Sequence, residues 1–220
     1  MLLLTAASLL IPVAIWIEHS EATVWNERLL WPTFEEEPNR HTPHHALGTF
    51  LPPTIAQDVT FSAKENPIIL AGTTTIVPGV QVTFEPGVMM VVHEYGQIIV
   101  KGMLSLRGSA EQPVRLTSNE AHIDNRVWAG IVIQSGGQAT INHAIIRYAS
   151  PAISCMPQSK ATISNARIEF GNLGIYTETS ACAVTASIIR SVRDGVVAVG
   201  VEPAIQTTNI KARNKEILTY

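Results

Sequence analysis

Four charged residues recur at nearly constant spacing in the C-terminal half of the sequence: Arg147, Glu169, Arg190 and Lys211. Three of them are cations, which favour anionic ligands, and the carboxylate of Glu169 comes between two arginines in the series. One interpretation is a solvated ladder of salt bridges, in which Glu169 keeps the cations from repelling one another. The functional interpretations are a basic groove that binds an acidic polysaccharide, and an Arg or Lys that acts catalytically on a uronate.

Other chemistry has weaker support in the sequence. No pair of carboxylates recurs at the repeat spacing, so we name no catalytic acid and base. Asp194 precedes Gly195 and is expected to be a turn residue whose carboxylate accepts hydrogen bonds from nearby backbone. His41, His44 and His45 surround Pro43 without a Cys or a carboxylate at a motif distance. We therefore predict neither a metal site nor a cofactor.

Cys155 and Cys182 are the two cysteines of the chain. In the frame of the repeats described next, they fall at bends of adjacent layers, so their side chains could meet. An oxidising compartment would allow a disulfide between them. Two buried free thiols are the alternative, and the sequence leaves both possibilities open.

The four charged residues belong to an internal repeat of 21 to 22 residues that covers residues 139–217. Branched aliphatic residues occupy the third, eighth and fifteenth positions of each repeat, and small residues occupy the sixth, where we expect the chain to turn inward. The third position holds Ile141, Ile163, Val184 and Ile205; the sixth Ala144, Ala166, Ser187 and Thr208; the eighth Ile146, Ile168, Ile189 and Ile210; and the fifteenth Ile153, Ile175, Val196 and Ile217.

Such short apolar runs, separated by Asn, Ser, Gly and Asp, predict short strands joined by bends rather than helices. One repeat is too short to bury its own apolar face. Parallel coils about 4.8 Å apart would let each aliphatic side chain pack on its equivalents above and below. The fold class is therefore all-β, a stacked solenoid of about six or seven coils. In this fold Arg147, Glu169, Arg190 and Lys211 would project outward beside inward isoleucines.

Upstream segments carry a recognisable succession: VPGVQVTFEPGV, then IIVKGMLSLRGSAEQPVRLTS, then WAGIVI. Together with ATINHAIIRYA, they resemble the opening coils of extracytoplasmic right-handed parallel β-helix proteins, the pectate-lyase-like superfamily. The resemblance covers about residues 66 to 217. It implies a right-handed parallel β-helix outside the cytoplasm, but it leaves the activity open because such coils serve enzymes, adhesins and structural proteins alike. The matching residues are Gly102, Pro113, Thr117, Ser118, Trp128, Gly130 and Ile131.

The N-terminal part has a different composition. Residues 2–17 form 16 uncharged residues in a row, which predicts a signal peptide or a signal anchor, with a buried core helix as the alternative. Residues 18–53 contain five prolines and three consecutive glutamates, and they are expected to form an irregular linker. The β-helix domain is then residues 54–220, in an extracytoplasmic location and tethered near a membrane through residues 2–17.

Composition and charge narrow the function further. The chain is 46% hydrophobic with 15 basic against 18 acidic residues, which excludes a disordered protein and gives no basic surplus for a nucleic-acid partner. A small solenoid with short bends favours binding or scaffolding over catalysis in a cleft. We expect a non-catalytic module that offers a rigid surface to carbohydrate, such as an acidic polysaccharide, or to protein. The alternatives are a polysaccharide lyase or glycoside hydrolase acting on an acidic glycan, and a subunit of a membrane protein assembly.

Overall fold

The computed structural model describes residues 48–118 and 128–220. These residues form an all-β parallel solenoid, with one 3-10 helix (Ala63–Glu65) and no α-helix among them. The fold class predicted from the repeats is confirmed. The predicted segment 2–17, the linker as far as residue 47, and the three histidines around Pro43 lie outside the described residues.

The strands are short, as the apolar runs predicted, except for two of 11 residues. In chain order they are β1 (Thr49–Phe50), β2 (Thr54–Ile55), β3 (Val59–Phe61), β4 (Ile68–Leu70), β5 (Thr73–Ile76), β6 (Gln81–Phe84), β7 (Met89–Val92), β8 (Gln97–Val100), β9 (Met103–Arg107), β10 (Val114–Ser118), β11 (Ile131–Ile133), β12 (Gln138–Asn142), β13 (Ala144–Arg147), β14 (Ile153–Cys155), β15 (Lys160–Ser164), β16 (Arg167–Thr177), β17 (Cys182–Thr185), β18 (Ile188–Ala198), β19 (Ala204–Gln206), β20 (Asn209–Ala212) and β21 (Lys215–Thr219).

Each coil contributes one strand to each of three stacks, and every strand pairs in parallel with its equivalents in the neighbouring coils. Sheet 1 contains β1, β4, β7, β10, β13, β20 and the first halves of β16 and β18. Sheet 2 contains β2, β5, β8, β11, β14, β21 and the second halves of β16 and β18. Sheet 3 contains β3, β6, β9, β12, β15, β17 and β19, which correspond to seven full turns. Because β16 and β18 continue through the corner, they join sheets 1 and 2.

The aliphatic columns predicted from the repeats are paired in register in the three sheets. The third, eighth and fifteenth repeat positions stack in sheets 3, 1 and 2, respectively. Ile146, Ile163 and Ile189 are among the fully buried members. Each such side chain contributes roughly 1.5 to 3 kcal/mol relative to exposure, before chain entropy is subtracted. The solenoid interior is therefore the core predicted from the repeats.

The corner between sheets 3 and 1 explains the small sixth position of the repeat. One residue at this corner in each of the last four repeats adopts a left-handed conformation, with φ between 46° and 51° at His143, Asn165, Ala186 and Thr207. The chain then enters sheet 1 through the small sixth-position residue, and Ala166 in that column is 1% exposed. A larger side chain would meet the layers above and below.

The first parallel strand begins before the predicted domain boundary. Strand β1 pairs with β4 through Thr49 and Ile68, so pairing starts within the stretch predicted as linker. The connection to the second coil contains the 3-10 helix, where the Ser62 hydroxyl accepts a hydrogen bond from the Lys64 N–H and Glu65 accepts one from the Ser62 N–H. This reciprocal cap fixes the turn that leads into β4.

Candidate functional site

The four charged residues of the sequence series form one column on the outer face of sheet 1. Arg147 is in register with Glu169, Glu169 with Arg190, and Arg190 with Lys211. Their outward direction follows from strand alternation, because the residue that precedes each of them is an isoleucine of the inward column. The structure therefore brings the four residues together as a ladder.

The centre of this ladder is a buried carboxylate, which corrects the interpretation of a solvated ladder. The Glu169 side chain is 1% exposed although it lies on the outer face of the sheet. Its Oε2 is 3.4 Å from the Nε of Arg147, and its Oε1 is 3.0 Å from an Nη of Arg167 and 3.9 Å from an Nη of Arg190. Three guanidinium groups thus surround one carboxylate and shield it from water.

Arg167 is a member of this cluster that the sequence analysis missed. It lies two residues before Glu169 on the same strand, so strand alternation places both side chains on the outer face. Its equivalents in the other repeats are Ile145, Ile188 and Asn209, so no charged column marks the position. The period-two pattern within the strand was the signal that could have found it.

Lys211 continues the ladder in register but does not join the cluster. Its side chain is exposed, and it makes no salt bridge within the described residues. Arg190 is the intermediate member, with 33% of its side chain exposed and a long contact to Glu169. The solvent exposure of the cationic side chains on this face therefore increases from Arg147 toward Lys211.

Two aromatic rings lie beside the arginines at the corner between sheets 1 and 2. Tyr148 and Phe170 stack with ring centroids 5.4 Å apart, and the guanidinium carbon of Arg147 lies 5.5 Å from the Phe170 centroid. Both aromatic residues have left-handed φ angles, 59° and 63°, which turn their side chains out of the strand alternation. Phe170 is 46% exposed, so its ring is available as an apolar surface next to cations.

The same corner carries further cations in the last two coils. Arg193, Arg213 and Lys215 are all exposed there. Asp194 is buried, and its carboxylate accepts a hydrogen bond from the Nε of Arg193 at 2.8 Å. We predicted that the Asp194 carboxylate accepts hydrogen bonds from nearby backbone, whereas its partner in the structure is the side chain of Arg193. We call the set Arg193, Arg213 and Lys215 the basic corner.

The two cysteines lie in adjacent coils, as their repeat positions indicated. Cys155 ends β14 and Cys182 begins β17, with Cα atoms 6.2 Å apart and the two sulfur atoms joined in a disulfide. Both side chains are buried in the core. The link connects sheet 2 of one coil with sheet 3 of the next, and it has no role at the charged face.

Potential metal ligands in the described residues do not cluster. Within residues 48–118 and 128–220, no three His, Cys, Asp or Glu side chains approach closely enough to hold a metal ion. A hydrogen bond of 2.8 Å from the Tyr176 hydroxyl to Glu178, together with burial, raises the pKa of Tyr176. Tyr176 and Glu178 lie at the C-terminal end of β16, away from the arginines of sheet 1.

No helix in the described part of the chain is both long and apolar enough to cross a bilayer.

Comparison with known proteins gives no family. No protein-family model matches the chain, and neither a curated protein nor a solved structure matches it. The resemblance to pectate-lyase-like proteins therefore depends on the motifs of the sequence and on the parallel solenoid.

Proposed function

We propose that this protein is a non-catalytic, extracytoplasmic β-helix module of the pectate-lyase-like kind, which binds carbohydrate or protein through the outer face of sheet 1. The observation that carries the proposal is the cluster of Arg147, Arg167 and Arg190 around the buried carboxylate of Glu169. The ligand class we favour is an acidic polysaccharide.

The physical argument is preorganisation. A carboxylate that contacts three guanidinium groups holds them in fixed positions, so a ligand that binds there loses less side-chain entropy on association. Sheet 1 is rigid because every strand between its ends is paired on both sides. Arg190 and Lys211 are cations in adjacent layers, about 4.8 Å apart, and Arg147 lies two layers from Arg190. Cations thus recur along the stack, as anionic groups recur along a linear acidic polymer.

The aromatic pair extends this surface. The exposed ring of Phe170 lies beside Arg147, and its flat apolar face can pack against the C–H face of a sugar ring. A cation and an aromatic ring side by side therefore suit a ligand whose units are both anionic and cyclic. Acidic pyranose polymers have this combination.

The test is a binding measurement on the full chain with polygalacturonate, alginate, heparin and matched neutral glycans. We expect Arg190→Ala and Lys211→Ala each to weaken binding of an acidic glycan, and Lys160→Ala, which removes an exposed cation from sheet 3, to leave it unchanged. Affinity that survives both substitutions would remove the ladder from the proposal. Release of unsaturated products or reducing ends would replace the binding module by a lyase or hydrolase.

The membrane tether is a separate part of the proposal, and it rests on the 16 uncharged residues between Met1 and Glu18. Membrane fractionation of the full chain, with mass spectrometry of its N-terminus, tests it. An intact Met1 in the membrane fraction supports an anchor. A shortened chain in the soluble fraction supports a cleaved signal peptide, and an intact chain in the soluble fraction contradicts both.

A further inference from the structure

The basic corner is an exposed group of cations that the proposed glycan face does not use. The side chain of Arg193 is 60% exposed, and Arg213 and Lys215 are exposed in the next coil. The three residues are neighbours, because the Asn214 N–H donates a hydrogen bond of 2.8 Å to the Arg193 carbonyl and Asp194 is in register with Lys215. The side chains of Arg213 and Lys215 form no salt bridge within the described residues.

Two of the carboxylates near the basic corner are buried. Asp194 is 7% exposed beneath its bond to Arg193, and Glu169 is enclosed by the arginine cluster. Glu216 is the exposed carboxylate next to Lys215. Glu178 and Glu202 follow sheet 2 and therefore belong to the corner with sheet 3. Three cations against the two carboxylates of Asp194 and Glu216 leave the basic corner with a net charge of +1, carried by the exposed side chains.

An exposed aromatic ring lies one coil before Arg193, at the edge that the basic corner shares with the proposed glycan face. Phe170 occupies the same corner, stacked on Tyr148, with 46% of its surface exposed. Apolar rings such as Phe, beside lysine and arginine, occur on surfaces that enter the boundary between lipid headgroups and acyl chains. Guanidinium groups bind phosphate in a bidentate manner, and exposed cations on the outside of the solenoid can reach a layer of phosphates.

We infer that the basic corner contacts the anionic phospholipid headgroups of a bilayer. The inference rests on the proposed membrane tether, which would hold the solenoid close to such a surface. Each basic residue near an anionic bilayer adds a modest, salt-sensitive attraction. Three of them are a weak site in isolation, but a tether raises their effective concentration at the membrane and makes a weak contact sufficient. The corner would orient the solenoid and leave sheet 3 facing away from the lipid.

Lysine footprinting of the full chain tests this contact. The protein is combined with vesicles of phosphatidylcholine alone, or of equal parts of phosphatidylcholine and phosphatidylglycerol, and acetylation of each lysine is followed by mass spectrometry. We expect Lys215 to react about tenfold more slowly on the anionic vesicles at low salt, with the difference lost in high salt. Lys101 and Lys160, which are exposed elsewhere, should react equally on both.

Substitutions distinguish an effect of the basic corner from an effect of the overall charge of the protein. Arg213→Gln should reduce the protection of Lys215 severalfold, whereas Arg107→Gln, which removes an exposed arginine from sheet 3, should leave it unchanged. Equal reaction of Lys215 on both vesicle types would overturn the inference. So would protection by polygalacturonate added to neutral vesicles without protection by anionic vesicles, since the corner would then be a glycan site.

The outcomes also distinguish this inference from the tether. If the chain sediments with neutral and anionic vesicles but Lys215 is never protected, the tether stands and the lipid contact fails. If the chain sediments only with anionic vesicles and Lys215 is protected, the lipid contact stands and the tether fails.

Discussion

At the scale of single residues, Glu169 is the group on which the charged face depends. Its carboxylate is almost completely buried, and it contacts three arginines whose side chains are 22% to 33% exposed. Removal of a buried partner is costly because the remaining charges lose their compensation without regaining full hydration. Glu169 is therefore a structural centre for the arginines and is not itself accessible to a ligand.

We expect Glu169→Gln to lower the free energy of unfolding by about 2 to 3 kcal/mol, below the cost of breaking a fully buried pair because water reaches the arginines. Urea denaturation measures the difference. The control is Glu216→Gln, an exposed carboxylate whose loss should change stability by less than about 0.5 kcal/mol. Equal stability of the Glu169→Gln variant and the unmodified chain would show that the cluster contributes nothing to folding.

Tyr176 provides a pH-dependent prediction at the same scale. Its hydrogen bond to Glu178, with burial as the second cause, raises its pKa in the folded state. The stability that this bond contributes is fully present below the unfolded pKa of about 10 and is lost as pH rises through the higher folded value. Ultraviolet absorbance titration should show a late tyrosine transition that belongs to Tyr176.

The control for this titration is Glu178→Gln, which removes the carboxylate and should shift the late tyrosine down toward the ordinary range. If the late transition persists in that variant, the Glu178 bond is not its cause. Tyr176→Phe should abolish the transition and thereby assign it.

At the scale of elements, the corner between sheets 3 and 1 repeats one backbone geometry with different residues. The left-handed position holds His143, Asn165, Ala186 and Thr207 in successive coils. Asn is well suited to this conformation, and the Asn165 side chain also donates a hydrogen bond of 3.1 Å to Asn142 in the coil before. Alanine has no such compensation, so Ala186 is a strained member of the column.

We therefore expect Ala186→Gly to raise the free energy of unfolding by about 0.5 kcal/mol, since relief of the left-handed strain exceeds the added freedom of the unfolded chain. Thermal or urea denaturation measures the change. The matched control is Ala183→Gly in strand β17, which should lower stability by about 0.5 to 1 kcal/mol. A loss of the same size at both positions would contradict the account of the corner.

At the scale of the whole molecule, the disulfide is a covalent cross-link between coils that otherwise interact through stacking, hydrogen bonds and the ion pairs of the charged face. Cys155 and Cys182 are separated by 27 residues, slightly more than one coil. Such a bond limits the unfolded chain and keeps two coils in register. It also agrees with the extracytoplasmic location in the proposed function.

In denaturant without reductant, we expect no reaction with a thiol reagent, and after reduction we expect two reactive thiols. Reduction should lower the free energy of unfolding by about 2 to 4 kcal/mol, the usual contribution of a disulfide that closes a loop of this size. Cys155→Ser with Cys182→Ser is the control that should not respond to reductant. Two thiols that react in denaturant before reduction would show that the native protein contains free cysteines.

The solenoid and its register could be predicted because one sequence repeat corresponds to one coil of the structure. When one residue per coil must face the interior, a register shift by one would expose an entire aliphatic column, so Ile146 and Ile168 must stack. Outward positions carry no such constraint. Arg167 has no charged equivalents in the other coils, and the left-handed bend that exposes Phe170 left no repeating signal.

The sequence by itself thus determined the winding of the chain, its three aliphatic columns and the outward row from Arg147 to Lys211. Only the tertiary structure decided that Glu169 is enclosed by three arginines, because enclosure depends on how side chains from neighbouring coils converge above the sheet. It likewise decided that Asp194 lies beneath Arg193 and leaves the basic corner positive. The period of the sequence specifies which residues occupy equivalent positions in successive layers. Burial of a charged side chain depends on its distances to side chains of neighbouring layers, and the sequence of one repeat does not specify those distances.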